Sequence, residues 1–282
     1  MIPAMVEARV GVLGHTEWID FAITPRLPQP GEILHTNEHW EEAAGGGAVA
    51  AVQMAKLTGA AVFFTALARD DLGRETADQL AGLGVTVHAA PRDGRQRRGF
   101  VYLTDDGERT ITVLGDRLVP HGDDDLPWDR FGELDGVYVT GGDPAALRAA
   151  RRAGVIVATP RAEDALRGSG VPIDVLVRSG NDEGEELDPA ELDPPPATVV
   201  TTLGGKGGRW EGALGSGGWG AEVLPGARVD AYGAGDSFAA GITTGLAAGL
   251  GIAEAVRLGA RCGAANMTGR GPYAGQLDLR RQ

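Results

Sequence analysis

The chain has 282 residues, 43% of them hydrophobic, enough for a substantial core in one large domain. Its formal net charge of −13, with no run of Lys or Arg, excludes nucleic acid and anionic membrane surfaces as expected partners. A single cysteine, Cys262, precludes an intramolecular disulfide and suits a reducing, cytoplasmic setting, and no apolar stretch reaches membrane-spanning length.

From the N-terminus, residues 9–13 read as a short apolar strand ending at Gly14. Residues 17–23 read as a second strand with acids set between apolar residues, broken by Pro25, Pro28, Pro30 and Gly31. Residues 32–40 fit a strand or a loop and face outward. Gly45-Gly46-Gly47 opens a helix carrying Val49, Val52, Met54, Ala55 and Leu57 and closed at Gly59. Three glycines before a helix mean, by themselves, a tight entry turn. Residues 61–66 form a buried-type strand, Asp70-Asp71 starts a helix with Ala77, Leu80 and Leu83, and residues 85–89 form the next strand. This alternation predicts an α/β fold with a mostly parallel sheet and helices on both faces.

Strands at 99–104 and 109–114 flank Asp105-Asp106-Gly107-Glu108, a hairpin signal. Just before them stand Arg92, Arg95, Arg97 and Arg98, which read first as a solvated edge. Further strands follow at 136–140, 155–158 and 174–177. Ser179-Gly180-Asn181-Asp182-Glu183-Gly184-Glu185 then reads as a solvated acidic helix start. Residues 198–203 are a β-branched strand running into Gly204-Gly205-Lys206-Gly207-Gly208, which is not a Walker A loop because no Ser or Thr follows the Lys. Residues 209–212 and 219–224 read as hairpin strands around a 215–218 loop.

A strand at 227–230 is then expected to meet a helix whose apolar positions Phe238, Ile242 and Leu246 recur every four residues. Between them Gly233, Ala234 and Gly235 leave backbone amides open at a helix N-terminus, which is a place for an anion. Asp236 sits among those amides, where a carboxylate is ordinarily an N-cap. A second helix spans 252–267. The five histidines show no metal-ligand spacing, no Gly-x-Ser-x-Gly elbow is present, and Phe238 stands where a dinucleotide fingerprint needs Gly.

Asp-Ala-Tyr-Gly-Ala-Gly-Asp-Ser-Phe followed by Ala-Ala-Gly, residues 230–241, resembles the C-terminal signature of the ribokinase-like (PfkB) carbohydrate kinases. The resemblance implies one three-layer kinase domain over 1–282, with a small β-sheet lid from about 15–40 and 95–115. It implies ATP-dependent phosphorylation of a hydroxyl on a small sugar or sugar derivative. Asp236 is then the general base, and the backbone of Gly233, Ala234 and Gly235 is the anion hole. Asn181, Thr202, Gly204, Gly205 and Gly207 meet the nucleotide phosphates, and Ala265 and Gly271 border the adenine. Gly45, Gly46 and Gly47 let the backbone approach the sugar, with Glu17 and Asp20 as the nearby acids and Arg97 or Arg98 as partner for a phosphate already on the substrate. ATP and Mg²⁺ are the implied cofactors, a monovalent cation a further candidate, and the lid a family route to a homodimer. Two positions depart from the family pattern: Ala50 replaces a sugar-side Asn, and Ile19 stands where the second strand carries Asp. The acid that organises Mg²⁺ has no clear register. Alternatives of the same family are a nucleoside or sugar-phosphate kinase, and outside catalysis a sugar- or nucleotide-sensing protein.

Overall fold

The computed structural model describes residues 5–104, 109–185 and 187–281, so the hairpin turn expected at Asp105 to Glu108 lies outside the described residues. In chain order the strands are β1 (Val10–Leu13), β2 (Glu17–Thr24), β3 (Glu38–Ala44), β4 (Ala61–Ala68), β5 (Val85–Arg92), β6 (Arg98–Thr104) and β7 (Arg109–Leu114). They continue as β8 (Gly136–Val139), β9 (Val155–Ala158), β10 (Val175–Ser179), β11 (Thr198–Thr202), β12 (Gly208–Gly212) and β13 (Gly217–Trp219). The helices are α1 (Gly46–Thr58), α2 (Asp71–Gly82), α3 (Pro144–Ala150), α4 (Glu163–Leu166), α5 (Ala234–Ala247) and α6 (Ile252–Asn266).

Nine strands form the central sheet in the order β13-β12-β11-β10-β9-β8-β1-β4-β5. It is parallel from β11 to β5, with β12 and β13 added antiparallel at one edge. Successive side chains on a strand point to opposite faces, and both faces here are covered. Val10, Val12 and Phe63 therefore pack with Met54, Phe238, Ile242 and Val256 of α1, α5 and α6. Leu13, Phe64, Val137 and Ile156 pack on the other side with Phe131, Leu147 and Ala165. The result is the expected three-layer α/β fold.

The small sheet has the order β3-β2-β6-β7 and is antiparallel except for the β2–β6 pair. Its face carrying Phe21 and Trp40 lies on the main body: Phe21 stacks on Trp40 at 4.8 Å and meets Tyr232 edge-on at 5.1 Å. Arg270, beyond α6, lies 3.8 Å over the Trp40 ring. Tyr273 Oη donates to the Ala43 carbonyl at 2.6 Å.

Three expected boundaries move. The third strand begins at Glu38 and runs to Ala44, because its antiparallel register with β2 continues until Gly45 turns the chain at φ +84°. The strand expected at 219–224 is instead 217–219, so two glycines of the expected loop are paired with β12. Residues 227–230 form no strand. The segment is tied elsewhere: the Val229 N–H donates to the Met267 carbonyl at 2.9 Å, and the Asp230 side-chain carboxylate accepts the N–H groups of Tyr232 (2.6 Å) and Gly271 (2.7 Å). Asp70 caps α2 through the Gly73 N–H at 2.9 Å and accepts the Gln96 N–H on its other oxygen, which accounts for the Asp70-Asp71 pair without a ligand.

Candidate active site

Two helix N-termini converge on one space. α1 begins after Gly45 at φ +84° and α5 after Gly233 at φ +77°, and neither has a side-chain cap. A positive-φ turn that only glycine adopts without strain brings each helix in abruptly; in α1 the Gly47 N–H is taken by the His15 carbonyl at 3.2 Å, while the first turn of α5 stays more open. The N–H groups of Gly235 and Asp236 have no backbone acceptor among the described residues, whereas Ser237 N–H reaches the Gly233 carbonyl at 2.9 Å. Glycine is required here by packing as well. A Cβ on Gly233 would stand 2.7 Å from Val49 Cγ1 of α1, and one on Gly46 would stand 2.8 Å from Asp236 Oδ1. The Asp236 carboxylate thus lies against the first residue of α1. Tyr232 fixes the two turns to each other, its hydroxyl accepting the Gly45 N–H at 3.1 Å.

Asp236 is partly buried, Gly235 beside it is exposed, and among the described residues no carboxylate or arginine bonds the Asp236 side chain. Burial pushes its carboxyl up to about 6, with Glu185 adding to the rise and Arg161, Arg109 and Arg117 opposing it. A partly exposed carboxylate in that range is suited to accept a proton near neutral pH. It makes no capping bond, which separates it from Asp70 and Asp143, the side-chain caps of α2 and α3.

The lid strands divide the acids and arginines into two groups by strand parity. Glu17 and Asp20 are three residues apart on β2 and therefore point to opposite faces. Glu17 points inward: it is 7% exposed, its Cγ lies 3.3 Å from the position of a Gly45 Cβ, and Arg97 Nε is 2.8 Å from its Oε1. Asp20 is on the other face with Arg98 (2.7 Å), His39 (3.6 Å) and Glu41. The structure thus groups Glu17 and Arg97 with Gly45, Gly46 and Asp236, and separates Asp20 and Arg98 from them. Gly47 is not at the surface of this space; a Cβ there would meet the His15 carbonyl at 2.5 Å and the Phe63 ring at 2.8 Å, so it serves packing. Ala50 is fully buried. The expected solvated edge is also not what the structure contains: Arg92 pairs with Asp124, Arg97 with Glu17 and Arg98 with Asp20.

On the far side, Asn181 follows β10 and the glycine-rich turn follows β11, and parallel pairing places both at the same end of the sheet. Gly180 N–H donates to the Thr202 carbonyl at 2.8 Å, and a Cβ on Gly204 would lie 3.6 Å from Asn181 Nδ2. Gly204 and Gly205 are exposed. Gly207, at φ +83°, is enclosed by the Trp219 and Gly220 backbone and shapes the turn. Trp219 in turn stacks 5.6 Å from Phe238, fastening this turn to α5. Ala265 is buried, its carbonyl taken by Thr268, and Gly271 is wedged against Trp40 and Glu42 with its N–H on Asp230.

Sequence reasoning left the acid of this region unassigned, and the structure singles out Glu185. Its carboxylate accepts the Ser179 N–H at 2.7 Å and meets Arg161 at 3.2 Å; burial raises its carboxyl, and its charge is felt at Asp236. Arg161 also holds Asp182. Arg117 and Arg161 were missed because nothing local marks them, each being a lone residue in a connecting segment; Tyr232 stood within the quoted 230–241 stretch but was given no role.

A model of the pfkB family of carbohydrate kinases matches residues 7–167 and 145–278. The chain belongs to that family. Its members are phosphotransferases with an alcohol acceptor, and the fold comparisons agree with membership. Ribokinase from Thermotoga maritima superposes with a TM-score of 0.76 at 20% identity, covering 97% of each chain. Adenosine kinase from Sinorhizobium meliloti gives 0.74 at 20% identity over 98% of each chain. Arabidopsis thaliana ribokinase, solved with ribose and ATP, gives 0.74 at 21% identity over 96% of each. No curated protein matches the sequence. No helix among the described residues is long and apolar enough to cross a membrane.

Proposed function

We propose that this family member transfers the γ-phosphoryl group of ATP to a hydroxyl of a small sugar, sugar derivative or nucleoside. The observation that carries the reading is the Asp236 carboxylate, without a side-chain partner among the described residues and held against Gly46 where the N-termini of α1 and α5, neither capped by a side chain, meet. Asp236 takes the proton from the attacking hydroxyl, and its raised affinity for protons matches that task. The open amides of Gly235 and Asp236, with the turn Gly233–Ala234, receive charge that develops on the transferred group. Glu17 accepts a substrate hydroxyl at the lid side, and Gly45 and Gly46 admit the ring close to the backbone. The polyphosphate lies between this hole and the Asn181, Thr202, Gly204, Gly205 face.

The oxygen donors at Glu185 and Asp182, beside the exposed Asn181 amide, are the hard-ligand chemistry that Mg²⁺ takes, and burial of Glu185 without a full counter-charge fits a cation there. When bound, Mg²⁺ neutralises phosphate charge. A monovalent cation gains no assigned site: Asp230, the buried carboxylate beside the hole, already takes backbone N–H groups on both oxygens.

ATP consumption measured with a panel of sugars, polyols and nucleosides tests the reading. Turnover of at least one acceptor, absent without it, is expected. Ligands that protect against melting while none is phosphorylated would favour a sensing protein instead.

A further inference from the structure

We propose that Asp20, His39 and Glu41 form a site for a divalent transition metal of the zinc type on the lid sheet, pinning β2 to β3. All three project from the face opposite Glu17, so the site stands apart from the reaction proposed above and does not depend on it. Asp20 and Glu41 are direct cross-strand partners in the antiparallel β2–β3 ladder, and His39 stands two residues before Glu41 on the same face. One donor atom from each residue lies within 4.8 Å of the other two. The histidines show no ligand spacing along the chain because this set is completed from a neighbouring strand.

The donors select the ion. Two carboxylates and one imidazole are a mixed nitrogen and oxygen set, which suits Zn²⁺ and its neighbours, whereas Mg²⁺ and Ca²⁺ take oxygen. His39 Nε2 lies 3.6 Å from Asp20 Oδ1. That is too long for a hydrogen bond. It is close to the ~3.4 Å that separates two ligands each about 2.1 Å from a tetrahedral zinc. His39 and Glu41 are exposed, so side-chain rotation closes the remaining gap, and solvent supplies the fourth ligand.

Each carboxylate is already held by a donor outside the triad. Trp18 Nε1 donates to Glu41 Oε2 at 2.7 Å, and Arg98 Nη2 donates to Asp20 Oδ2 at 2.7 Å. Anchoring of ligand carboxylates by such outer donors is what keeps a metal site in shape. It leaves Glu41 Oε1 and Asp20 Oδ1 to coordinate. Asp20 is only 7% exposed, and among the described residues no donor hydrogen-bonds its Oδ1. A buried carboxylate oxygen in that position lacks a partner, and a cation supplies one. Arg98 offsets one of the two negative charges, which weakens the case for an oxygen-seeking ion and makes the imidazole decisive.

The test titrates metal-free wild-type protein with ZnCl₂ by calorimetry in excess Mg²⁺, beside His39→Ala, Glu41→Gln, Trp18→Phe and the exposed control His35→Ala. Wild type is expected to take one equivalent of Zn²⁺ with micromolar affinity and to melt higher for it, because an ion bound to the folded state alone stabilises that state. His39→Ala and Glu41→Gln, both at exposed positions, lose this equivalent or bind it more weakly by roughly 10-fold or more. Trp18→Phe, which removes only the outer donor, weakens it by roughly 10-fold, and His35→Ala leaves it unchanged. With Co²⁺ as probe, wild type gains visible d–d absorption that His39→Ala lacks. No Zn²⁺ binding in excess Mg²⁺, or binding of equal strength in His39→Ala and Glu41→Gln, overturns the proposal. Loss in His35→Ala with retention in His39→Ala overturns it as well. If Trp18→Phe does not fold, the two exposed variants decide alone.

Discussion

At the scale of single residues, Asp236 is placed at a cost to the folded chain. An unperturbed aspartate titrates near 3.9, while burial moves Asp236 to about 6. The folded state therefore holds a proton that the unfolded state has lost between those values. The stability penalty is absent below pH about 4 and complete above pH about 6. Removing the charge should relieve it, so Asp236→Asn is expected to gain about 1–3 kcal/mol at pH 8, read as a rise in Tm of several degrees, and nothing at pH 4. A loss of Tm at pH 8 would contradict a desolvated, unbonded carboxylate. The same proton sets the rate: kcat/KM should rise with pH through about 6 and level off, because only the ionised form accepts the hydroxyl proton. A flat profile from pH 5 to 8 would remove Asp236 as the base.

Among elements, the site is the meeting of the α1 and α5 N-termini, and glycine at 46 is what lets them meet. Gly46→Ala places a Cβ 2.8 Å from Asp236 Oδ1, and the displaced atom belongs to the carboxylate proposed as base rather than to the core. The expected outcome is a drop in kcat of roughly 100-fold or more, the lower end for losing a positioned base, with Tm within a few degrees of wild type. Gly233→Ala makes the contrast: φ +77° and the Val49 contact at 2.7 Å make it mainly a stability loss. Kinetics and melting of the two variants side by side separate the roles; equal losses of Tm would contradict the distinction.

For the whole molecule, the lid sheet and the body are joined through aromatic contacts and hydrogen bonds such as Tyr273 Oη to the Ala43 carbonyl, and not through a continuous sheet. Phe21, Trp40 and Tyr232 pack in a row, with Arg270 over Trp40. Trp40→Ala should raise KM for the acceptor several-fold and leave the central sheet folded, since Trp40 contacts the lid–body seam alone and not the hole; steady-state kinetics and circular dichroism check this.

The fold was legible because strands buried on both faces and helices with four-residue spacing announce themselves locally. The Asp236 turn was legible because its chemistry lies in contiguous residues. The pairing of acids with arginines was not. Glu17 and Asp20 look equivalent in sequence, and only strand parity together with the side of the lid that faces the body tells them apart. Arg117, Arg161 and Glu185 acquire meaning only when distant strand ends are brought together. Residues 227–230 misled because they read as a strand, while the Val229 N–H goes to the Met267 carbonyl just beyond α6 and the Asp230 side chain takes the N–H groups of Tyr232 and Gly271.

The central claim is that Asp236 acts on the acceptor hydroxyl and is not needed to hold ATP. Single-turnover transfer from γ-labelled ATP to the best acceptor, with ATP affinity measured in parallel for wild type and Asp236→Asn, tests it most directly. A transfer rate lower by roughly 10²–10⁴-fold at unchanged ATP affinity is the predicted result. A variant that transfers phosphate within about threefold of the wild-type rate would contradict it.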